Sequence, residues 1–455
     1  MTAALKVFRA RHVATMLGDV IADGCVVVRG DRIAEVGPFE RVRPPRVDVE
    51  VDGVLMPGLI NAHTHLELTN VPRPPRPASF VDWVVETIAS QRRDTLEEYQ
   101  RDRAEAVRQG IAQCVKFGVT SVGDISQNVE ITRPILAAGP IRSVSFGECL
   151  GIGARRGRFD ELFEKALCVT GQAAESVAFL LVRLGVSPHA PYTVNLDAYA
   201  KCSAGVSPAN RGELGGRDAR PTLLQTTHLA ETPDEAAFLF HRTGPLRTLY
   251  DRLGFDPGPP SHESNVDRAS VVAAVLSACG RDWLLAHVNY CNDAEIDELA
   301  DRRASVAWCP RTHRYFGHPP HRWKEMIARD VTVCVGTDSC ASSPDLNIVD
   351  DLRLLHADEP AVPVDRLWAL ATREAERALR WGWGAAGDRD GNIDMLRASR
   401  PLGVLAPDAM ADLVVFPTRG DEPLLEILET PGLMPSNVWV GGARLVPSPG
   451  NPGEG

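Results

Sequence analysis

Short apolar and β-branched runs alternate with longer stretches of helical periodicity through the middle of this chain. We count eight such runs, and nearly every one finishes at a residue that can bind a metal ion or carry a proton. The residues at these ends are His63, Asp124, Glu148, His189, His228, His287, Cys309 and Asp338. Alternating strands and helices are typical of parallel βα units. Eight units predict an α/β fold, a (β/α)8 barrel whose strand ends converge on one face.

The two ends of the chain have a different pattern. Apolar and polar positions alternate over residues 1–55, and similar short runs return at 411–416 and 437–446. These patterns predict short strands that pair into one small β domain. We place that domain at 1–56 plus 395–447 and the barrel at 57–394. Two stretches rich in Gly, Arg or Pro, at 203–221 and 256–267, interrupt the barrel pattern and are predicted to be surface excursions.

Composition narrows the class of partner. The chain has 455 residues, 44% of them apolar, and a formal net charge of −11. Nucleic acids and anionic membranes both favour basic proteins, so we expect neither as a partner. The ten cysteines include no Cys-x-x-Cys pair, which is typical of reduced, buried thiols. Because no apolar run resembles a membrane span or a secretion signal, we expect a cytoplasmic protein that acts on a small molecule.

Two histidines stand two residues apart where the first run ends, in LMPGLINAHTH at 55–65. An extended backbone directs His63 and His65 to the same face, as two ligands of one metal ion require. Alone, this spacing is also typical of incidental polar residues at a strand end. His228 adds a third imidazole and Asp338 a carboxylate, each at its own strand end. We therefore predict one divalent ion held by these four residues, with one coordination position left for water.

Further polar residues are placed to act on that water. Glu231 follows His228 by three residues and is predicted to carry protons between water and substrate. His287 ends its own run, and we assign it to hydrogen bonding during catalysis rather than to the metal. Asp338 is predicted to accept a proton as the water is activated. Three imidazoles and one carboxylate suit zinc, which we favour, and also iron or manganese.

Five ordered motifs carry a family resemblance: PGLINAHTHL at 57–66, SPHAPYT at 187–193, HLAE at 228–231, GTD at 336–338 and ADLVVF at 411–416. Together they resemble the amidohydrolase superfamily, in its branch of cytosine deaminases, S-adenosylhomocysteine deaminases and s-triazine hydrolases. The resemblance implies a distorted TIM barrel with a small β-sandwich domain formed from both termini. It also implies substrate contacts from His189 and Tyr192. Relatives with two metal ions carry a bridging lysine at the fourth strand end, which this chain lacks, so a single ion is favoured.

The segment after the seventh strand departs from that branch, which usually has Pro-x-Ser-Asn there. It reads CPRTHRYFGHPPH at 309–321. We predict that its basic side chains bind an anionic group of the substrate; these are Arg311, His313 and Arg314. Tyr315 and Phe316 are predicted to stack on a ring. This segment is similar to that of aminodeoxyfutalosine deaminases of menaquinone biosynthesis, whose substrate joins an aminopurine to a carboxylated aromatic ring.

The leading hypothesis is therefore a metal-dependent hydrolytic deaminase of an aminated, purine nucleoside-like substrate, with aminodeoxyfutalosine as the first candidate. S-adenosylhomocysteine, methylthioadenosine or another aminoheterocycle is an alternative substrate. Hydrolysis of an s-triazine or a cyclic amide would use the same residues and stays open. A metal-binding protein without turnover is disfavoured, because both Glu231 and His287 are present. The sequence leaves the oligomeric state open, with a homodimer as our expectation.

Overall fold

The computed structural model describes residues 5–75, 79–152, 157–167, 181–204, 223–260, 270–381 and 401–445. Within them the strands form one seven-stranded sheet and one eight-stranded sheet. This arrangement confirms the predicted α/β barrel with a β domain drawn from both termini. The predicted domain boundary at 394/395 and most of both predicted excursions lie outside the described residues.

The N-terminal residues form four strands and a short helix. They are β1 (Leu5–Val13), β2 (Ile21–Arg29), β3 (Arg32–Pro38), α1 (Phe39–Val42) and β4 (Val49–Pro57). β1 pairs antiparallel with β2 and parallel with β4, and β2 pairs antiparallel with β3. The tight turn between β2 and β3 contains Gly30 at a φ of 64°. Glycine adopts this left-handed conformation without steric cost, so the turn signal in the sequence has a physical basis.

Eight parallel strands form the barrel sheet. They are β5 (Leu59–Thr64), β6 (Val119–Ser126), β7 (Arg142–Cys149), β8 (Val182–Pro188), β9 (Leu224–Leu229), β10 (Leu284–His287), β11 (Ser305–Trp308) and β12 (Thr332–Val335). Each strand ends within three residues of a predicted end. Six of the eight are buried at every residue, which explains why they are near-continuous apolar runs: both faces of a parallel sheet are covered.

Helices lie between the barrel strands and after the last of them. They are α2 (Phe80–Ser90), α3 (Leu96–Lys116), α4 (Val129–Ala138), α5 (Phe159–Leu167), α6 (Leu196–Ala204), α7 (Glu235–His241), α8 (Pro245–Leu253), α9 (Val271–Ala278), α10 (Asp293–Asp301), α11 (Pro310–Phe316), α12 (Trp323–Ala328), α13 (Ile348–Asp358), α14 (Val364–Leu370) and α15 (Arg373–Leu379). The longest, α3, begins with a capping box in which Thr95 and Glu98 satisfy each other's backbone N–H groups. None of the described helices is both long and apolar enough to cross a lipid bilayer.

The C-terminal residues complete the first sheet. They form β13 (Leu413–Phe416), α16 (Pro423–Glu429), β14 (Asn437–Val440) and β15 (Ala443–Leu445). β13 pairs antiparallel with β4, so strands from both ends share one sheet of order β15-β14-β13-β4-β1-β2-β3. Only Gly58 separates β4 from β5, and a Cβ atom there would lie 2.2 Å from Thr120 Oγ1. The chain therefore passes directly from β4 of the β domain into β5, the first strand of the barrel.

The barrel closes where the end of β5 meets the segment that follows β12. Thr64 and Asp338 form an isolated parallel bridge, and the Asp338 N–H donates to the His63 carbonyl at 3.1 Å. Asn61 reinforces this seam, because its side chain donates to Thr337 Oγ1 (2.7 Å) and accepts from the Thr337 N–H (3.1 Å). The residues that close the barrel thus adjoin the predicted ligands.

The GTD motif has a structural explanation at this seam. A Cβ atom on Gly336 would lie 2.6 Å from the His63 carbonyl oxygen, so only glycine lets the two segments approach. Thr337 then bonds to Asn61, and Asp338 follows with its side chain beside the histidines. Glycine, threonine and aspartate each have a separate task in the motif.

A buried ion pair joins the β domain to the barrel. Arg142, at the start of β7, donates to both carboxylate oxygens of Asp412 at 2.8 and 3.1 Å, and the two side chains are only 4% and 3% exposed. Asp412 also accepts from the Gly441 N–H at 2.8 Å, and its carbonyl accepts from the Gly58 N–H. The aspartate of the ADLVVF motif therefore binds three separate segments of the chain.

We expect Arg142→Ala to lower the free energy of unfolding by about 3–5 kcal/mol, because it leaves the Asp412 carboxylate buried and unpaired. Urea unfolding followed by circular dichroism measures the change. Arg108→Ala is the matched control, since Arg108 pairs with Glu105 at the surface with 60% and 55% exposure. Equal stability of the two variants would show that the buried pair does not hold the domains together.

Candidate active site

The barrel ends bring the four predicted metal ligands into one cluster. His65 Nε2 lies 3.2 Å from His228 Nε2 and 3.6 Å from Asp338 Oδ1. His63 Nε2 lies 3.9 Å from the same carboxylate oxygen. His63 also groups with His228 and His287, with ligand atoms within 4.8 Å of one another. Residues that are 275 positions apart in the chain, such as His63 and Asp338, therefore face one point.

The donor atoms of this cluster fit a divalent metal ion. Both ring nitrogens of His63 are buried and have no hydrogen-bond partner, which is costly unless something binds there. His228 Nδ1 donates to the His189 carbonyl (2.9 Å), so its Nε2 is left to face the cluster. Two nitrogens on one tetrahedral zinc ion lie roughly 3.3 Å apart, given Zn–N distances of about 2.0–2.1 Å. The observed separation of His65 and His228 agrees with that geometry.

Burial sets the protonation of the cluster. Desolvation, aided by the neighbouring histidines, lowers the pKa of His63 well below its usual value and that of His228 to about 4. Both imidazoles are therefore neutral near pH 7, which is the form that binds metals. Ser342 Oγ donates to Asp338 Oδ2 at 2.7 Å, so that carboxylate presents Oδ1 to the histidines.

Two site residues occupy the left-handed region of backbone conformation. His287 has a φ of 72° and Asp338 a φ of 58°. Such conformations cost about 1–3 kcal/mol in non-glycine residues and persist only where the surroundings impose them. The His287 carbonyl accepts from His321 Nε2 at 2.9 Å, while the Asp338 N–H is held by His63. The sharp turns after β10 and β12 thus direct both side chains into the barrel mouth.

Glu231 lies beside the cluster and is held on both sides. Its Oε2 accepts from the Tyr192 hydroxyl at 3.1 Å, and its Oε1 lies 3.7 Å from His287 Nε2. Burial, followed by repulsion from Asp338 and Glu235, raises the pKa of Glu231 well above its usual value. A carboxyl group with a raised pKa suits proton transfer, since it holds a proton more readily than an ordinary glutamate does.

Several residues that position this site were not predicted from the sequence. Asn289 Nδ2 donates to the Glu231 carbonyl, and Glu235 accepts from the N–H groups of 230–232 at 2.7 to 3.3 Å. Ser342 and His321 hold Asp338 and His287, as described above. Their only signal in the sequence is closeness to a strand end, which Asn289 and Ser342 share with many residues that do nothing in the site.

His189 also lies at the cluster, next to His228 and Tyr192. Its ring centroid is 5.0 Å from that of His228, and its Nδ1 bonds to Thr193 Oγ1 at 2.7 Å. Its Nε2 lies 3.9 Å from Glu148 Oε1. Glu148, at the end of β7, also approaches the cluster, since its Oε1 lies 4.0 Å from His228 Nδ1.

The two arginines of the 309–321 segment are paired with carboxylates of the protein. The Arg311 guanidinium bonds to the carboxylates of Asp345 (2.7 Å) and Asp351 (2.9 Å), and Arg314 pairs with Asp358 at a position 56% exposed. Both positive charges are therefore already balanced by carboxylates. To bind an anionic substrate group as predicted, these two arginines would have to exchange their aspartate partners.

His313, the third of these predicted contacts, is engaged with the protein at both ring nitrogens. Nδ1 lies 3.0 Å from Asn289 Oδ1, and Nε2 donates to the Pro319 carbonyl at 2.8 Å. Because Asn289 bonds to the Glu231 main chain, His313 reaches the site through Asn289. This arrangement supports a positioning role for His313.

Aromatic rings pack against one another next to Tyr192, which donates to Glu231. Phe80 and Trp83 of α2 pack against Phe316 of α11, with ring centroids 5.6 and 5.1 Å from that of Phe316. Phe80 also packs against Tyr192 at 6.1 Å. We call these four residues the aromatic cluster. Tyr315, which like Phe316 is predicted to stack on a ring of the substrate, packs against Phe316 with ring centroids 5.0 Å apart and donates its hydroxyl to the Pro74 carbonyl.

Comparison with known proteins gives the same fold. A model described as "Amidohydrolase family" matches residues 54–385, a range that holds all eight barrel strands and the whole metal cluster. A second model, described as an imidazolonepropionase-like composite domain of bacteria, matches 24–44. The first match covers well over half of the chain.

Individual relatives span most of the chain. The aminodeoxyfutalosine deaminase of Deinococcus radiodurans is 26% identical over 379 residues, which are 80% of this chain and 83% of that protein. A 5-methylthioadenosine/S-adenosylhomocysteine deaminase of Pyrococcus horikoshii is 24% identical over 368 residues, 78% of this chain and 77% of that one. An adenosine deaminase from Xanthomonas campestris, solved with bound zinc, shares the fold with a TM-score of 0.73 at 21% identity, covering 96% and 92% of the two chains. The chain belongs to the amidohydrolase family of hydrolytic enzymes.

Proposed function

We propose that this enzyme is a metal-dependent deaminase of adenosine-like substrates. The observation that carries the proposal is the position of Glu231 between Tyr192 and His287, beside a cluster of three imidazoles and one carboxylate. Deaminases of adenosine-like compounds are among its relatives. The reaction adds water to the ring carbon that bears the amino group and releases ammonia.

One divalent ion would be held by His63, His65, His228 and Asp338. Zinc is the ion we propose, because the donors are three nitrogens and one oxygen and because the related adenosine deaminase structure contains zinc. When bound, such an ion lowers the pKa of water and so supplies a hydrolytic nucleophile near neutral pH. The remaining chemistry falls to the protein's own side chains.

Glu231 is proposed to move the protons. Its carboxylate accepts a proton from the attacking water and delivers it to the ring nitrogen, and the second proton of the water, taken up by Asp338, is then passed to the amino group, which leaves as ammonia. Tyr192 holds one carboxylate oxygen at 3.1 Å, so the other is free for this transfer. Asp338, whose pKa is raised by burial, is placed to accept the second proton of the water.

His287 is proposed to stabilise the tetrahedral centre. Its Nε2 is buried, has no hydrogen-bond partner and lies 3.7 Å from Glu231 Oε1. An imidazole with a free nitrogen beside the proton carrier can hydrogen-bond to the attacking oxygen as the bond forms. Its strained backbone, with φ at 72°, fixes that direction before substrate binds.

The aromatic cluster supports a flat, ring-containing substrate, since aromatic side chains favour stacked or edge-on contact with other rings. We propose aminodeoxyfutalosine, and with it a place in menaquinone biosynthesis, as the first substrate to test, because the Deinococcus relative acts on that compound by its name. Methylthioadenosine or S-adenosylhomocysteine is the second candidate. Of these two, methylthioadenosine is favoured because it carries no carboxylate, whereas Arg311 and Arg314 are already paired with aspartates.

Ammonia release from a panel of aminated compounds tests the function. We expect turnover of at least one of aminodeoxyfutalosine, methylthioadenosine, S-adenosylhomocysteine and adenosine, with one equivalent of ammonia per product. Chlorinated s-triazines and cyclic amides serve as the contrasting set, since they need the same nucleophile but a different leaving group. If only that set is hydrolysed, the deaminase assignment is wrong although the hydrolytic site is right.

Glu231→Gln should lower kcat by roughly 10²- to 10⁴-fold, the usual contribution of general acid–base catalysis, because an amide cannot carry the proton. Metal content, measured by inductively coupled plasma mass spectrometry, should stay at the wild-type level, since Glu231 is not among the proposed ligands. Glu325→Gln is a matched control at a surface position 49% exposed. Wild-type turnover by Glu231→Gln would remove Glu231 from the mechanism.

A further inference from the structure

A cavity of about 400 Å³ lies at the ends of β6 and β7, beside the metal cluster. Ser126, Gln127 and Asn128 line one part of it, and Glu148 lines another. Ligand pockets commonly have volumes of this order or larger. Because Glu148 also approaches His189 and His228, the cavity adjoins the cluster rather than forming a separate site.

One oxygen of the Glu148 carboxylate in this lining lacks a hydrogen-bond donor. Its side chain is 3% exposed, and only Oε2 is satisfied, by Gln127 Nε2 at 2.8 Å. Oε1 is buried with no partner. The ring nitrogens of His189 and His228 lie 3.9 and 4.0 Å away, beyond hydrogen-bond distance. An unsatisfied buried oxygen of this kind is costly and is explained if a ligand supplies the donor.

Glu67 fixes the position of Gln127, the residue that donates to Glu148. Its main-chain N–H donates to Glu67 Oε1 at 3.0 Å, while Glu67 Oε2 accepts from Ser126 Oγ (2.8 Å) and Asn128 Nδ2 (2.9 Å). Glu67 lies two residues after the proposed ligand His65. The wall around Glu148 is thus fixed to the same segment that carries the metal ligand.

The charges of the lining favour a neutral donor over an anion. Arg158 and Lys165 also line the cavity, but they are 64% and 49% exposed and pair with Glu161 (2.6 Å) and Glu130 (3.0 Å). The buried charge of the lining is the Glu148 carboxylate. Hydroxyl groups suit it, since each donates one hydrogen bond, and acidic side chains bind ribose hydroxyls in the same way in dinucleotide-binding proteins.

We propose that Glu148 binds the sugar hydroxyl groups of the substrate in this cavity. The inference rests on the proposed function, because it assumes that an aminated ring lies at Glu231 and His287. The attached sugar would then meet Glu148, which lies beside His189 and His228, and its partner Gln127. Glu148 would then make the enzyme select nucleosides over free aminated bases and over nucleosides without hydroxyls.

The test compares adenosine with 2′,3′-dideoxyadenosine in the zinc-loaded wild type and Glu148→Gln. For adenosine, the variant should lose roughly 10- to 100-fold in kcat/KM, as expected for a hydrogen bond to a charged group. For the dideoxy compound the two proteins should agree within about threefold, since no such bond exists to lose. Binding of inosine and 2′,3′-dideoxyinosine, measured by calorimetry, should show the same pattern without turnover.

Glu105→Gln is the control, because that carboxylate lies on the surface of α3 with 55% exposure. Equal losses on both nucleosides, or none on either, would overturn the role of Glu148 while leaving the deaminase function intact. A loss confined to substrates with an amino group in the side chain would show that Glu148 binds a cation instead. If the wild type deaminates no nucleoside, the proposed function fails, and this inference fails with it.

The preference of the wild type for one nucleoside over the other gives a second test, which does not require the variant to fold. The wild type should prefer adenosine over 2′,3′-dideoxyadenosine by at least about tenfold in kcat/KM, because only adenosine offers hydroxyl donors to the carboxylate. Equal kcat/KM values for the two nucleosides would contradict the proposal even if Glu148→Gln cannot be purified.

Discussion

The hydrogen bonds that close the barrel also build the site. The Asn61–Thr337 pair and the bond from the Asp338 N–H to the His63 carbonyl join the two edge strands of an eight-stranded sheet. The same contacts set an imidazole from the first barrel strand beside a carboxylate from the segment after the eighth. His65 Nε2 lies 3.6 Å from the Asp338 carboxylate and 3.2 Å from His228 Nε2, which brings the third imidazole into the same cluster. The metal cluster is therefore a consequence of barrel closure, and a change at the seam would alter both.

Burial determines the protonation states of this cluster and also carries a free-energy cost. Desolvation lowers the pKa of each of the histidines and raises that of Glu231, so bases stay neutral and the acid keeps a proton within reach. The protein also holds His287 and Asp338 in left-handed conformations. Such costs are typical of functional sites, where strain and unsatisfied polar atoms persist because substrate or metal binding offsets them.

The sequence predicts the framework of this protein well, for a physical reason. Parallel strands buried on both faces are continuous apolar runs, and the topology of a barrel brings their ends together, so His63, His228 and Asp338 could be linked without coordinates. Arg311 and Arg314 show the limit. Their charge is visible in the sequence, but their aspartate partners lie 34 to 44 residues further along the chain. Which charges pair depends on tertiary packing, and so does the unsatisfied oxygen of Glu148.

A crystal structure of the zinc-loaded enzyme, with anomalous scattering recorded at the zinc edge, tests the central claim most directly. The account predicts one strong peak, with ligand distances of about 2.0–2.2 Å to nitrogens of His63, His65 and His228 and to an oxygen of Asp338. A peak coordinated by other residues, or a second peak of equal height, would contradict it.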